Sequence, residues 1–222
     1  MTISHDDISS AYRTVGRTTC RMVFVLGIFY VTITVIGLFS LESPQDSIGD
    51  PYFTIMEVLS ILIALLMAIS MAAVHCYASP GDKIYSLIAL ILMFITTGIT
   101  SSVHFLILSL SHSLEVDQLP GYSFFFSFKW PSAVYALDIL AWDFFFALSM
   151  LFAAPVFKKD RFEGNLKTVL VICGTLSLIG LIGIPLQNMQ IRNIGILGYA
   201  VVGPAAFLLI GRIIGRPNQV QS

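Results

Sequence analysis

Residues 84–114 read IYSLIALILMFITTGITSSVHFLILSLSHSL, without one Asp, Glu, Lys or Arg. A charge-free stretch of this length points to a helix in lipid. A helix satisfies its own backbone polar groups, and about 20 apolar residues cross the hydrocarbon layer. Similar runs recur at Met22–Leu41, Val58–Gly81, Thr168–Ile191 and Asn193–Gly211. A sixth, Pro131–Phe157, is apolar and aromatic but carries Asp138 and Asp143. Hydrophobic residues make up 56% of the chain and charged residues 11%, against roughly 25% charged in a soluble domain. So few charges could not cover a water-facing surface. The alternating segments of a β-barrel are absent. The expected fold is all-α, a polytopic membrane protein with a six-helix bundle as its single domain over 21–214. Its approximate spans are 22–41, 53–78, 84–110, 131–156, 167–186 and 193–213, between tails at 1–20 and 215–222.

The basic residues orient that bundle. Arg13, Arg17 and Arg21 precede the first span and Lys83 follows the second. Lys158, Lys159, Arg161 and Lys167 follow the fourth, and Arg212 and Arg216 close the sixth. Only Lys129 and Arg192 fall on the other side, whose loops hold Glu42, Asp46, Asp50, Glu115 and Asp117. Cationic loops stay in the cytoplasm, so both termini are expected there, and the location is a plasma (cytoplasmic) membrane. An even number of spans agrees. The first apolar run is too long for a signal-peptide core and lacks a small-x-small cleavage site, so it is expected to remain as a span. Dispersed basic residues and a net charge of −1 argue against nucleic acid as a partner. Three cysteines, Cys20, Cys76 and Cys173, map to the cytoplasmic half, where a structural disulfide is not expected.

Between the spans, Ser43-Pro44-Gln45 to Asp50-Pro51 reads as an outer loop, and Ala78–Asp82 as a tight inner turn. The third run is long enough to emerge as an extended helix before Ser111-His112-Ser113. The aromatic stretch Tyr122–Trp130 precedes Pro131, a favoured first helical residue. It reads either as an interfacial anchor or as a lid over an outward-facing pocket. Helices five and six are rich in small residues, Gly174, Ser177, Gly180 and Gly183, then Gly195, Gly198, Gly203, Gly211 and Gly215. Such residues let helices approach closely in lipid, so oligomerisation through these two helices is one expectation. Pro204 should bend the sixth helix.

Ionisable groups at membrane depth cost roughly 2.5–3.5 kcal/mol each at a helix centre, so they mark the candidate site. At about 1.5 Å per residue, Glu57 lies roughly 6 Å, His104 roughly 9 Å and Asp138 roughly 10 Å below the outer boundary, with Asp143 roughly 18 Å deep. On the third helix Thr97, Thr100, Ser101 and His104 form a polar stripe that should face protein. On the fourth, Tyr135, Asp138 and Trp142 share a face. At 100° per residue Asp143 lies about 140° round from Asp138, so the two aspartates should not address one neighbour. Arg192 is a candidate counter-ion for Glu57 or Asp138, or snorkels to the headgroups.

Three chemistries compete for this layer. Glu57, His104 and Asp138 form an adequate donor set for a transition metal, though no diagnostic metal-ligand spacing occurs. Acidic groups staggered in depth beside a histidine are what proton relays use. Carboxyls hydrogen-bonded across helices could also serve only as polar glue. No nucleophile elbow or phosphate loop is present, His75 and Cys76 diverge by about 100°, and no residue pattern names a cofactor. The expected function is translocation of a small solute, ion or proton. The alternatives are an intramembrane enzyme, metal-dependent with a lipid-like substrate, and a structural or regulatory subunit. The expected partner is the lipid bilayer itself.

The stretches Leu151–Phe157 (LFAAPVF) and Asn193–Tyr199 (NIGILGY) resemble segments of uncharacterised prokaryotic multi-pass integral membrane proteins. That resemblance implies a multi-pass fold and carries no activity.

Overall fold

The computed structural model of the chain describes residues 5–43, 46–110 and 120–216. Pro44-Gln45, the extension through Ser111-His112-Ser113 and the tail beyond Arg216 lie outside the described residues. Among the described residues there are no strands, and six helices are long and apolar enough to cross a membrane. The elements are α1 (His5–Phe39), α2 (Tyr52–Tyr77), α3 (Lys83–Leu110), the short α4 (Tyr122–Phe126), α5 (Ala133–Val156), α6 (Arg161–Gly183) and α7 (Met189–Ile214). The all-α six-helix architecture expected from the apolar runs is therefore present.

Helix boundaries follow caps rather than hydropathy. Asp160 Oδ1 accepts the Glu163 N–H at 2.8 Å and starts α6 at Arg161, about two turns before the apolar run. Asn188 Oδ1 accepts the N–H groups of Gln190 (3.0 Å) and Ile191 (3.3 Å) and starts α7 at Met189. Ser132 Oγ accepts the Tyr135 N–H at 3.2 Å, so α5 begins at Ala133 and not at Pro131. The stretch expected as a polar N-terminal tail is helical from His5. Its last turns pack tightly: a Cβ on Gly16 would meet Ala73 Cβ of α2 at 2.7 Å, and one on Gly211 of α7 would meet Cys20 Cβ at 2.7 Å. Tertiary packing sustains helix where propensity alone would not.

The spans form a closed ring. Helix α1 lies along α2 and α7, and α2–α3, α3–α5, α5–α6 and α6–α7 are neighbours. Met67, Met71, Met93, Phe146, Met150, Phe207 and Ile210 fill the centre with essentially no exposure. Val25, Ile69, Phe94, Phe105 and Leu197 point outward and are 43–66% exposed, an apolar exterior suited to lipid. Two helices are not regular: Leu140–Phe146 in α5 and Leu197–Val202 in α7 are π-helical. The second π segment ends just before Pro204, which has no N–H and crowds the carbonyl four residues back. The disturbance expected at this proline is thus accommodated as a wider turn, with the ring pressed where a Gly27 Cβ would lie, 2.6 Å from Cγ.

The first turns of α1 and the end of α7 meet at one end of the ring, where Arg13 Nη1 donates to the Arg216 carbonyl at 2.7 Å. That end is closed by polar contacts between loops. Tyr77 Oη donates to Glu163 Oε1 at 2.5 Å, while Glu163 Oε2 accepts the N–H groups of Lys158 and Lys159 at 2.9 and 2.8 Å. Lys158 Nζ reaches Asp82 Oδ1 at 2.6 Å, and Arg216 Nη1 reaches Asp160 Oδ2 at 2.8 Å. Lys83 Nζ donates to the His75 carbonyl, and His75 Nδ1 faces Ser86 Oγ at 2.9 Å, a boundary role for that histidine.

Candidate functional site

The opposite end of the ring holds the charges. Glu57 stands five residues into α2, His104 six residues from the end of α3, Asp138 five residues into α5 and Arg192 three into α7. All four therefore lie within about 5–9 Å of their helix ends, and all are buried. His104 is bracketed by carboxylates, with Nδ1 2.7 Å from Glu57 Oε2 and Nε2 3.4 Å from Asp138 Oδ1. Arg192 continues the chain, Nη2 lying 3.8 Å from Asp138 Oδ2 and Nε 3.5 Å from Asp143 Oδ2. Its guanidinium is flanked by the rings of Tyr135 (5.2 Å) and Tyr199 (5.9 Å). Glu57, His104, Asp138, Arg192 and Asp143 thus form one connected row of charge across four helices.

Two sequence expectations change here. Asp138 and Asp143 do address one neighbour, Arg192, although regular α-helical spacing sets them about 140° apart. Asp143 falls in the π segment Leu140–Phe146, where i→i+5 bonding widens the turn and brings residues five apart toward one face. Arg192 does not snorkel to headgroups: at 2% exposure it is a buried counter-ion, and its partners are the two aspartates rather than Glu57.

The small residues of α6 and α7 have an internal use. A Cβ on Gly195 would lie 1.8 Å from Asp143 Oδ1, and one on Gly180 would lie 2.8 Å from the same atom. These glycines form the slot that receives the Asp143 carboxylate. Gly198 presses on Ser177, where a Cβ would meet Oγ at 2.5 Å, and Gly183 on Arg192, where it would meet the backbone nitrogen at 2.6 Å. These glycines are in close contact with other elements of the same chain.

Beside the charges lies a cavity of ≈ 230 Å³ between α1, α2, α3, α5 and α7. Its wall includes His104, Asp138 and Arg192, together with Tyr30, Tyr135, Trp142 and Tyr199. Phe128, from the segment after α4, lines it as well: the ring centroid lies 5.6 Å from that of His104, 5.2 Å from that of Tyr135 and 6.5 Å from that of Phe53. Phe124 and Phe125 of α4 are instead 59% and 50% exposed. The aromatic stretch therefore divides between an outward-facing part and Phe128, which contributes to the cavity wall.

Several buried polar atoms at the site have no hydrogen-bond partner among the described residues: His104 Nε2, Asp138 Oδ1, both oxygens of Asp143, Arg192 Nε, Thr100 Oγ1 and Ser101 Oγ. Their ion contacts at 3.4–3.8 Å are too long for well-made hydrogen bonds. In the polar stripe, Thr97 Oγ1 crosses to the Ala64 carbonyl of α2 at 2.9 Å, while Thr100 lies fully buried below His104. Native proteins pair nearly all such atoms. A cluster of unpaired ones beside a cavity is a place for a ligand, water or proton to bind.

No protein family, curated protein or solved structure matches the chain. The site has to be read from its own chemistry.

A metal is the weakest occupant. Glu57 and Asp138 lie on opposite edges of the imidazole, so the three side chains do not converge on one point. No group of three His, Cys, Asp or Glu able to hold a metal occurs among the described residues. The donor set weighed from sequence, Glu57, His104 and Asp138, is a linear carboxylate–imidazole–carboxylate array instead.

Sequence reasoning missed several wall residues. Tyr30 lies on α1 with Gly27 and Thr34, a spacing of three and seven residues that was there to be found. Tyr199 follows Arg192 by seven, again two turns along one face. Phe128 belongs to an irregular loop and left no periodic signal.

Proposed function

We propose that the chain is a six-span protein of the plasma (cytoplasmic) membrane, termini inside, that moves a small solute, ion or proton through proton exchange at the Glu57–His104–Asp138–Arg192–Asp143 row. The observation that carries this reading is the continuity of the row and its opening onto the cavity at His104, Asp138 and Arg192. Five charged groups side by side in a low-dielectric layer are costly unless they balance. With Arg192 and an imidazolium His104 positive, three carboxylates leave one negative charge over. One bound proton cancels it, and unpaired atoms on His104 and Asp138 lie where that proton can be handed on. Polar glue would call for well-made hydrogen bonds, and long, unpaired contacts support exchange over glue. The hydrogen-bonded, ion-paired termini end supports a site open toward one side of the membrane at a time.

An intramembrane enzyme fits less well. His104 has a carboxylate beside each ring nitrogen, and the serine on the cavity wall, Ser60, donates instead to the Met56 carbonyl at 3.0 Å. A general base with its nucleophile in reach is not formed.

The test is proton flux into liposomes holding a trapped pH indicator, under an imposed potential. Wild type should dissipate the gradient faster than empty liposomes, and Asp143→Asn should abolish the difference. Equal flux in wild type and variant would contradict the reading.

A further inference from the structure

Which solute the site takes follows from the charge left over and from the cavity wall. Glu57 is held by His104 at 2.7 Å, and Asp143 lies behind Arg192 in its glycine slot. Asp138 is the carboxyl on the cavity wall; it is 5% exposed, and its Oδ1 accepts no hydrogen bond. The two positive groups nearby are shared among three carboxyls: Arg192 lies 3.8 Å from Asp138 and 3.5 Å from Asp143, and His104 lies 2.7 Å from Glu57 and 3.4 Å from Asp138. Apart from His104 and Arg192, the wall around Asp138 is largely aromatic, with Tyr30, Phe128, Trp142 and Tyr199. Ring faces attract cations and repel anions, and aromatic walls around a carboxylate suit an ammonium carried on an apolar body.

We propose that the cavity binds a small organic monocation, a protonated or quaternary amine, at Asp138 in exchange for one proton. This rests on the proton-exchange reading above and names its solute. The balance is simple: one carboxyl O–H bond of the row breaks, the proton leaves to water, and the cation takes up the freed negative charge from its place beside Asp138. The site then carries the same net charge in both states. Both occupants cancel one negative charge, so they compete, and that competition is what couples the two movements. At ≈ 230 Å³ the cavity falls below the roughly 300–1,000 Å³ of sites for drug-sized ligands, which limits the cation to a small one.

Other groups facing Asp138 set the pH dependence. From neighbouring helices these are Tyr30 of α1, Glu57 of α2, His104 of α3, and Arg192 and Tyr199 of α7. From its own helix they are Tyr135 and Asp143. Since protons and cation compete, affinity should fall as pH falls.

The test is calorimetric titration of the full chain in detergent with tetraethylammonium chloride, in two buffers of different ionisation heat. Benzoate and tert-butanol serve as anionic and neutral probes, and Trp142 fluorescence gives a second readout. The expected result is tetraethylammonium binding with about one proton released per cation. Its affinity should weaken up to tenfold per pH unit on acidification, and neither control should bind. Asp138→Asn should lose both binding and proton release. Trp130→Phe, which leaves the cavity wall intact, should retain both proton release and the fluorescence change, assigning that change to Trp142. Binding without proton release, or benzoate binding in place of the cation, would overturn the proposal. Absence of cation binding in a protein whose liposome flux still depends on Asp143 would overturn the solute assignment and leave the proton reading standing.

Discussion

Gly195 and the Asp143 carboxylate occupy one space: a Cβ at position 195 would lie 1.8 Å from Oδ1. The carboxyl, fully buried, reaches Arg192 because α7 presents bare backbone there. Gly195→Ala should therefore displace Asp143 and destabilise the protein by about 1–3 kcal/mol, the usual cost of overpacking. Gly98→Ala is the control, since a Cβ there meets nothing within 4 Å. Thermal melts in detergent should show a clear loss for the first and none for the second. Equal melts would mean that the slot is not tight.

The Glu57–His104 contact at 2.7 Å is a buried pair, and removing one partner of such a pair typically costs about 3–5 kcal/mol. Glu57→Gln and His104→Asn should each destabilise strongly. The double variant should lose less than the sum, with a coupling of about 0.5–3 kcal/mol. Reversible unfolding of the four proteins measures this directly, and additive losses would show that the two side chains do not act as a pair.

Much of this arrangement was legible before the fold. The spans follow from charge-free runs, and the depth of Glu57, His104 and Asp138 follows from a constant rise per residue, so their common layer was readable. Angular position was not. It depends on a constant turn, and that constancy fails in the π segment holding Asp143, which is why two aspartates about 140° apart on paper share one arginine. The glycines of α6 and α7 were visible as small residues, but nothing in their spacing distinguishes an outer contact from a slot for a carboxylate. Phe128 comes from an irregular segment, where no periodicity says which way a side chain turns.

Arg192 lies within 3.8 Å of Asp138 and 3.5 Å of Asp143 with a tyrosine ring on two sides. Lysine keeps the charge but has neither the planar fork nor the stacking surface. Arg192→Lys should cost at least about tenfold in proton flux, roughly 1.4 kcal/mol, while the protein still inserts and folds. Unchanged flux in the lysine variant would reduce Arg192 to a point charge.

At the termini end, the Glu163 N–H bond and the Arg216 ion pair hold the Asp160 carboxyl below its ordinary value. A carboxyl lowered in the folded state contributes stability that is present above its unfolded value, about 3.9. That contribution is lost as pH falls through the lowered folded value. Melting temperature should therefore decline more steeply on acidification in wild type than in Asp160→Asn. Parallel curves would show that the cap and latch do not titrate with folding.

The most direct test of the central claim, proton exchange at the charged row, is infrared spectroscopy of the reconstituted protein as the buffer is stepped between about pH 5 and pH 8, the range in which a histidine-linked site exchanges. The expected result is a reversible change in the carboxyl carbonyl region that disappears in Asp143→Asn and persists in Asp46→Asn, a carboxylate in the loop between α1 and α2. A carboxyl region that stays constant across the step would contradict the claim and leave the row as fixed structural charge.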